Sequence, residues 1–158
     1  QLNLSNENRL KYIFEKFVRN YYIWEYKEAK TNRPTYYISK ISKRIPDMVL
    51  ENDANALIID TKFYDTSEDN TSNEDTIYVY GKLYLENNVG TNRKVTALLL
   101  YADSVTIKVA GPLIIKEELD KNKEIPVYIE KLDINQDFED IKQNLKGLAD
   151  KYLNIKHQ

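Results

Sequence analysis

The chain has 158 residues, of which 42% are hydrophobic and 30% are charged, and this length and composition are typical of one compact domain rather than of a disordered or collagen-like chain. It has no cysteine, which excludes disulfides, thiolate metal sites and cysteine nucleophiles, and its one histidine, His157, is the penultimate residue, which argues against a histidine-based triad or a multi-histidine zinc site. The net charge of −2 divides unevenly, because residues 1–46 carry ten Lys/Arg and four Asp/Glu, or +6, and the other 112 residues carry thirteen and twenty-one, or −8.

The first half of the chain predicts one helix followed by strands. A helix over residues 6–27 is indicated by apolar side chains at helical spacing: Leu10, Ile13, Phe14, Phe17, Val18, Tyr21 and Tyr22. The β-rich pieces 36–41 and 48–50 predict a hairpin or meander. The uninterrupted apolar run 56–59 predicts a central strand that is covered on both faces.

The second half predicts a surface loop, then helices and strands. The polar stretch 65–75 predicts the loop, and residues 75–87 are read as a helix although their local composition also favours a strand. Strands are predicted at 95–102, 105–109 and 125–129, with a break at Gly111-Pro112. A last amphipathic helix, with acidic residues in its first turn, begins near Phe138 and reaches Leu153.

We interpret residues 1–158 as one domain. Because the sequence starts at Gln1 rather than at Met, we expect it to be the C-terminal part of a longer subunit whose N-terminal region is missing. No apolar run approaches the roughly 18 residues that cross a bilayer, and no signal peptide opens the chain, so we expect no membrane partner and a cytoplasmic location.

Charged side chains follow the predicted central strand. Asp60 and Lys62 are two positions apart, so they project from one face of the strand while Thr61 projects from the other. Asp47 lies thirteen positions upstream, after Pro46, where strand pairing would bring its carboxylate beside that of Asp60. Two carboxylates and a lysine could together bind a divalent cation and a phosphate oxygen, as phosphodiester hydrolysis requires.

The spacing of Pro46-Asp47 and Asp60-Thr61-Lys62 resembles the PD-(D/E)xK nuclease signature. The surrounding blocks narrow the resemblance to McrC-like nuclease subunits of GTP-dependent, modification-directed restriction systems. These blocks are FEKFVRNYY (14–22), RIPDMVL (44–50), ALIIDTKFY (56–64) and the segment 75–84, in that order. The similarity covers roughly residues 10–102.

The resemblance implies an α/β fold with a PD-(D/E)xK restriction-endonuclease-like core, in which helices flank a mixed central sheet. It implies a Mg²⁺-dependent endonuclease, for which Mn²⁺ would substitute, that cleaves double-stranded DNA. Asp47 and Asp60 would be metal ligands and catalytic residues, Glu15 of the first helix a candidate third ligand, and Lys62 would position water or stabilise the phosphorane charge. The implied partner is an AAA+ GTPase of the McrB type, contacted through a region absent from this chain, and nuclease domains would pair to cut both strands.

One departure from the family pattern favours an alternative. The helix after the lysine strand lacks the usual Gln followed four residues later by Tyr, and carries Tyr80 and Tyr84 at that spacing instead. The alternative is a degenerate nuclease fold that acts as a non-catalytic DNA-binding or partner-docking module. A separate, purely structural interpretation of the pattern is that Asp60 and Lys62 form an exposed ion pair at a strand end, worth about 0–1 kcal/mol.

The remaining sequence features indicate packing rather than chemistry. Most of the thirteen tyrosines occupy apolar positions of helices and strands, which favours core packing over base stacking. Only four glycines are present and none forms a phosphate-binding loop. We therefore predict no nucleotide or other organic cofactor site in this chain.

Overall fold

The computed structural model describes residues 2–63, 71–103 and 125–156. In chain order the elements are α1 (Leu2–Trp24), β1 (Lys30–Asn32), β2 (Tyr36–Tyr37), β3 (Lys43–Arg44), β4 (Met48–Glu51), β5 (Asn55–Lys62), α2 (Thr71–Asn87), β6 (Lys94–Asp103), β7 (Val127–Asp133) and α3 (Phe138–Tyr152). In this described part of the chain, no helix is both long enough and apolar enough to cross a membrane.

The main sheet has five strands in the order β1-β4-β5-β6-β7. β4 pairs antiparallel with both β1 and β5, whereas β6 pairs parallel with both β5 and β7. β5 is the middle strand, and its six inner residues are all buried. The predicted mixed α/β architecture, with helices flanking a mixed central sheet and an apolar run in its central strand, is confirmed.

The two faces of the sheet carry separate apolar clusters. On one face α1 and α3 pack side by side, and the buried hydroxyl of Tyr22 donates a 2.7 Å hydrogen bond to the carbonyl of Leu145. On the other face α2 packs through Ile77 and Tyr84, which belong to a second apolar cluster, here called the α2-side cluster. Alternate residues of β5 serve the two clusters, since Leu57 and Ile59 belong to the first cluster and Ile58 to the second.

The ends of the predicted helices need correction. α1 spans Leu2–Trp24 rather than 6–27, because the amides of Glu25 and Tyr26 both turn back to the carbonyl of Tyr21 and close the helix. The loop predicted at 65–75 is wrong for residues 71–75, which form the first turn of α2. Its other residues, 65–70, lie outside the described residues. The helices predicted at 75–87 and from Phe138 are confirmed.

Strand pairing also differs from the prediction. The segment 36–41 does not pair with 48–50, because β2 pairs with β3 in a separate two-stranded sheet while β4 pairs with β1 and β5. The side chain of Ser39 accepts bonds from the amides of Ile41 and Ser42, which turns the chain back on itself before β4 begins. β6 confirms the strand predicted at 95–102, and β7 begins after Pro126 and runs on to Asp133. The strand predicted at 105–109 and the break at Gly111-Pro112 lie outside the described residues.

Candidate functional site

Antiparallel pairing of β4 and β5 brings Asp47 next to Asp60. Met48 pairs with Ile59, so the residue before β4 lies beside the residue after Ile59. The negative charge of Asp60 acts on Asp47 and helps to raise its pKa. The two carboxylates that the sequence predicted to be neighbours therefore lie together at one edge of the sheet.

Asp47 is held in place by Thr61. The backbone N–H and the side-chain hydroxyl of Thr61 both donate to Oδ2 of Asp47, at 2.7 and 2.8 Å. Thr61 is almost fully buried. Because two donors converge on one oxygen, the Asp47 carboxylate is fixed relative to the end of β5.

Lys62 forms an ion pair with Asp60. Its Nζ lies 2.9 Å from Oδ2 of Asp60, and the two side chains are only 13% and 9% exposed. Asp60 shares a strand face with Ile58, which belongs to the α2-side cluster, so the pair lies on that face of the sheet. The Lys62–Asp60 pair is therefore largely buried, unlike the exposed ion pair that the sequence analysis considered as an alternative.

Glu15 reaches the same edge from α1. Its pKa is raised, first by burial and then by a hydrogen bond with Asp47 and by the charge of Asp47, while Arg19 opposes this shift. Arg19 donates to Oε2 of Glu15 at 3.0 Å, one helical turn away. The pKa of Asp47 is also raised, mainly by burial, and the hydrogen bond from Glu15 partly offsets this effect. Glu15 and Asp47 thus favour sharing a proton.

Two further residues belong to the neighbourhood of this cluster. Burial raises the pKa of the Tyr80 hydroxyl, and the charges of Asp60 and Asp47 raise it further, whereas Lys62 and Arg44 lower it. The sequence had singled out Tyr80 only for its spacing, and Arg44 only as part of a matching block. Two sequence positions could have pointed to them. Arg44 lies three residues before Asp47, and Tyr80 lies one helical turn before Tyr84, which is buried.

Tyr84 does not join the site. Its hydroxyl donates a 2.6 Å hydrogen bond to Oε2 of Glu51 and accepts one from Nη1 of Arg93 at 3.2 Å. Its pKa is raised to about 12, chiefly by burial and by the hydrogen bond to Glu51. Glu51 ends β4, at the opposite edge of the sheet from Asp47. The Tyr80 and Tyr84 side chains therefore lie at opposite edges of the sheet, and only Tyr80 is near the carboxylates of Asp47 and Asp60.

The donor set suits a hard divalent cation, because carboxylate oxygens are the ligands that Mg²⁺ prefers. Within the described residues, however, no group of three His, Cys, Asp or Glu side chains is arranged so that it could enclose a metal ion. Oδ2 of Asp60 is engaged by Lys62, and Oδ2 of Asp47 is engaged by Thr61. A cation would consequently have to use their other oxygens or displace part of this network.

No protein-family model matches the sequence, and no curated protein matches it either. The fold is similar to that of a chain in a solved structure described as a refined half-complex from a tetradecameric assembly of Thermococcus gammatolerans McrB AAA+ hexamers with bound McrC. The TM-score is 0.61 at 12% sequence identity, over 89% of this chain and 33% of that chain. This chain thus spans about a third of the length of the chain that it matches, and at this identity the likeness establishes a shared fold.

Proposed function

We propose that this chain is the metal-dependent endodeoxyribonuclease domain of a GTPase-driven restriction system. The observation that carries the proposal is the convergence of Glu15, Asp47, Asp60 and Lys62 at the end of the central strand. Its support from outside the chain is the fold shared with a component of the McrB–McrC assembly.

In this proposal Asp47 and Asp60 hold Mg²⁺ or Mn²⁺, and Glu15 is a third ligand. When bound, the cation supplies Lewis-acid neutralisation of the charge on the scissile phosphate. Thr61 keeps Asp47 oriented through its two hydrogen bonds. The Nζ of Lys62 lies beside Asp60, where its positive charge stabilises the extra negative charge that develops as water attacks the phosphorus.

The raised pKa values of Glu15 and Asp47 are consistent with their proposed role as metal ligands. Carboxyl groups that hold a proton through burial and mutual proximity release it when a cation replaces it. The raised pKa values of both residues therefore favour a site that is neutralised by protons in the absence of metal and by metal in its presence.

The alternative is a non-catalytic module built on the same fold, and the lack of a ready-made trio of metal ligands among the described residues favours it. The two functions differ in metal-dependent cleavage. Purified chain is incubated with supercoiled plasmid and Mg²⁺ or Mn²⁺, alone and with an McrB-like AAA+ partner and the rest of the subunit. The nuclease proposal expects nicked or linear product that EDTA abolishes.

The decisive variant is Asp60→Asn, which keeps the size of the side chain and removes a charge from the proposed metal site. We expect cleavage to fall below detection while the protein stays folded. Asp150→Asn is the matched control, because Asp150 is an acidic residue of α3 that accepts a hydrogen bond from Tyr26 away from the site. Equal cleavage by Asp60→Asn and wild type would reject the proposed role of Asp60.

A further inference from the structure

A basic segment begins at β1 and leads to the candidate site. Residues 29–46 contain five Lys/Arg and no Asp or Glu. These basic residues are Lys30, Arg33, Lys40, Lys43 and Arg44. The segment supplies most of the +6 charge of residues 1–46, in a chain whose net charge is −2.

Three of these residues lie on a β-hairpin formed by residues 36–44, here called the basic hairpin. Tyr36 pairs with Arg44 and Tyr37 pairs with Lys43. The turn is closed by the amide of Ile38, which donates to the carbonyl of Ser42 at 2.9 Å. The hairpin is thus a hydrogen-bonded ribbon rather than an unstructured loop.

The base of the ribbon is anchored and its tip is exposed. Tyr36 is buried in the α2-side cluster. At the other end, Ile41 is 98% exposed, and the flanking Tyr37 and Ile38 are 73% and 52% exposed. Single exposed apolar residues are common on protein surfaces, but this hydrogen-bonded ribbon presents three of them close together, with Ile41 between Lys40 and Lys43, as a recognition element would.

The ribbon leaves the sheet beside the candidate site. Arg44 ends β3 three residues before Asp47. The charges of Arg44 and Asp47 both act on the hydroxyl of Tyr80, so the base of the ribbon and the carboxylates share one neighbourhood. Among the described residues, neither Lys40 nor Lys43 forms an ion pair with an acidic side chain. Their charges are therefore directed to solvent.

We infer that the basic hairpin is a DNA-contacting wedge, an inference that rests on the proposed nuclease function. Lys40 and Lys43 lie on the phosphates at the two sides of the minor groove, and Ile41 presses against a base step between them. Apolar wedges with flanking cations are a recurrent way to unstack a base step and bend a duplex. The arrangement would hold the duplex so that a phosphodiester reaches Asp47 and Asp60.

The test measures binding separately from cleavage. A fluorescein-labelled duplex with one 2-aminopurine is titrated with the full chain in EDTA, at salt from about 50 to 200 mM, where counterion release makes binding salt-dependent. Wild-type protein is expected to bind at the lowest salt and to raise the 2-aminopurine fluorescence as a base step unstacks.

Two variants divide the wedge into its parts. Lys40→Gln/Lys43→Gln is expected to weaken binding about tenfold or more at low salt and to lower the slope of log affinity against log salt by about 1.8, since each lost phosphate contact removes about 0.9. Ile41→Ser is expected to keep the slope and to lose the fluorescence rise. All three side chains are exposed, so the melting temperatures of both variants should match that of wild type.

The matched controls lie at the other edge of the sheet. Val89→Ser removes an apolar side chain that is 86% exposed, and Lys94→Gln removes an exposed lysine at the start of β6. Both should bind like wild type. The wedge is rejected if wild type does not bind at the lowest salt, or if the hairpin variants match the controls in slope and in fluorescence.

The two proposals fail in different ways. If the chain binds with the wedge signature but never cleaves DNA with metal and partners, the nuclease function fails and the wedge stands. If the hairpin variants bind and cleave like wild type, the wedge fails and the nuclease function stands.

Discussion

Replacing Lys62 with Met tests both the electrostatics and the proposed function of the site. Methionine keeps an unbranched apolar stem of similar length and removes the charge that faces Asp60. The Asp60 carboxylate is then left nearly buried beside Asp47, with no ammonium at 2.9 Å. The variant should be less stable without metal and inactive in cleavage.

The magnitude follows from the geometry of the pair. Two unit charges 2.9 Å apart attract by about 6 kcal/mol at an effective dielectric constant near 20. Desolvation of both groups offsets much of this attraction. Breaking one partner of a fully buried pair costs about 3–5 kcal/mol, and the side chains here retain 13% and 9% exposure. We therefore expect a loss of about 2–3 kcal/mol in the free energy of unfolding, or roughly 4–12 °C in Tm.

The assay is urea unfolding of wild type and Lys62→Met, each with and without Mg²⁺, together with calorimetric titration of Mn²⁺. Metal should stabilise the variant more than wild type, because a cation replaces the lost positive charge. Metal affinity should be equal to or higher than that of wild type, since one repulsive charge is gone.

The matched control is Lys146→Met, which breaks a pair with Asp150 that is 3.8 Å long and has a lysine side chain 41% exposed. That surface pair should contribute about 0–1 kcal/mol. Equal losses in the two variants would refute the claim that burial strengthens the Lys62–Asp60 pair. A large loss of metal affinity in Lys62→Met would show that Lys62 orders the ligands instead of competing with the cation.

Three further predictions concern pH, the opposite edge of the sheet and the need for partners. The folded-state pKa values of Glu15 and Asp47 are raised, so their contribution to stability is present below the unfolded values near 4 and is lost as pH rises through the folded values. The free energy of unfolding of Glu15→Gln, measured with urea, should therefore fall less between pH 4.5 and 7.5 than that of wild type. Equal falls in the two proteins would contradict this sign. Tyr84→Phe removes the bond to Glu51 and should cost about 1–3 kcal/mol because the bond is made to a charged group, yet plasmid cleavage at a temperature where the variant is folded should be unchanged. At about 150 mM salt, where the Debye length is near 8 Å, this chain alone should bind duplex DNA weakly and cut poorly without the AAA+ partner, and tight binding in an anisotropy titration would reject that dependence.

The strongest sequence signals were those that depend on local pattern and immediate neighbours. The apolar run 56–59 predicted a strand covered on both faces, and β5 is that strand. Period-two geometry predicted that Asp60 and Lys62 share a face, and their side chains form an ion pair there. The sequence also predicted that strand pairing would bring Asp47, thirteen positions upstream, beside Asp60, and the antiparallel pairing of β4 with β5 places it there.

What the sequence could not decide depends on contacts between distant segments. Residues 36–41 could pair with β4 or fold back into a hairpin of their own, and the two pairings are similar in local sequence. In the structure they form the hairpin, where the Ser39 hydroxyl accepts hydrogen bonds from the amides of the turn. The burial of the Lys62–Asp60 pair comes from the chain packed around it, and the separation of Tyr80 from Tyr84 depends on how far α2 extends along the sheet. The sequence by itself determined the alternating faces of the strands and the residues at their ends, because side-chain direction follows from backbone geometry. Only the tertiary structure decided which charges are buried together, because burial is a property of the elements packed around a residue and not of the residue's neighbours in the chain.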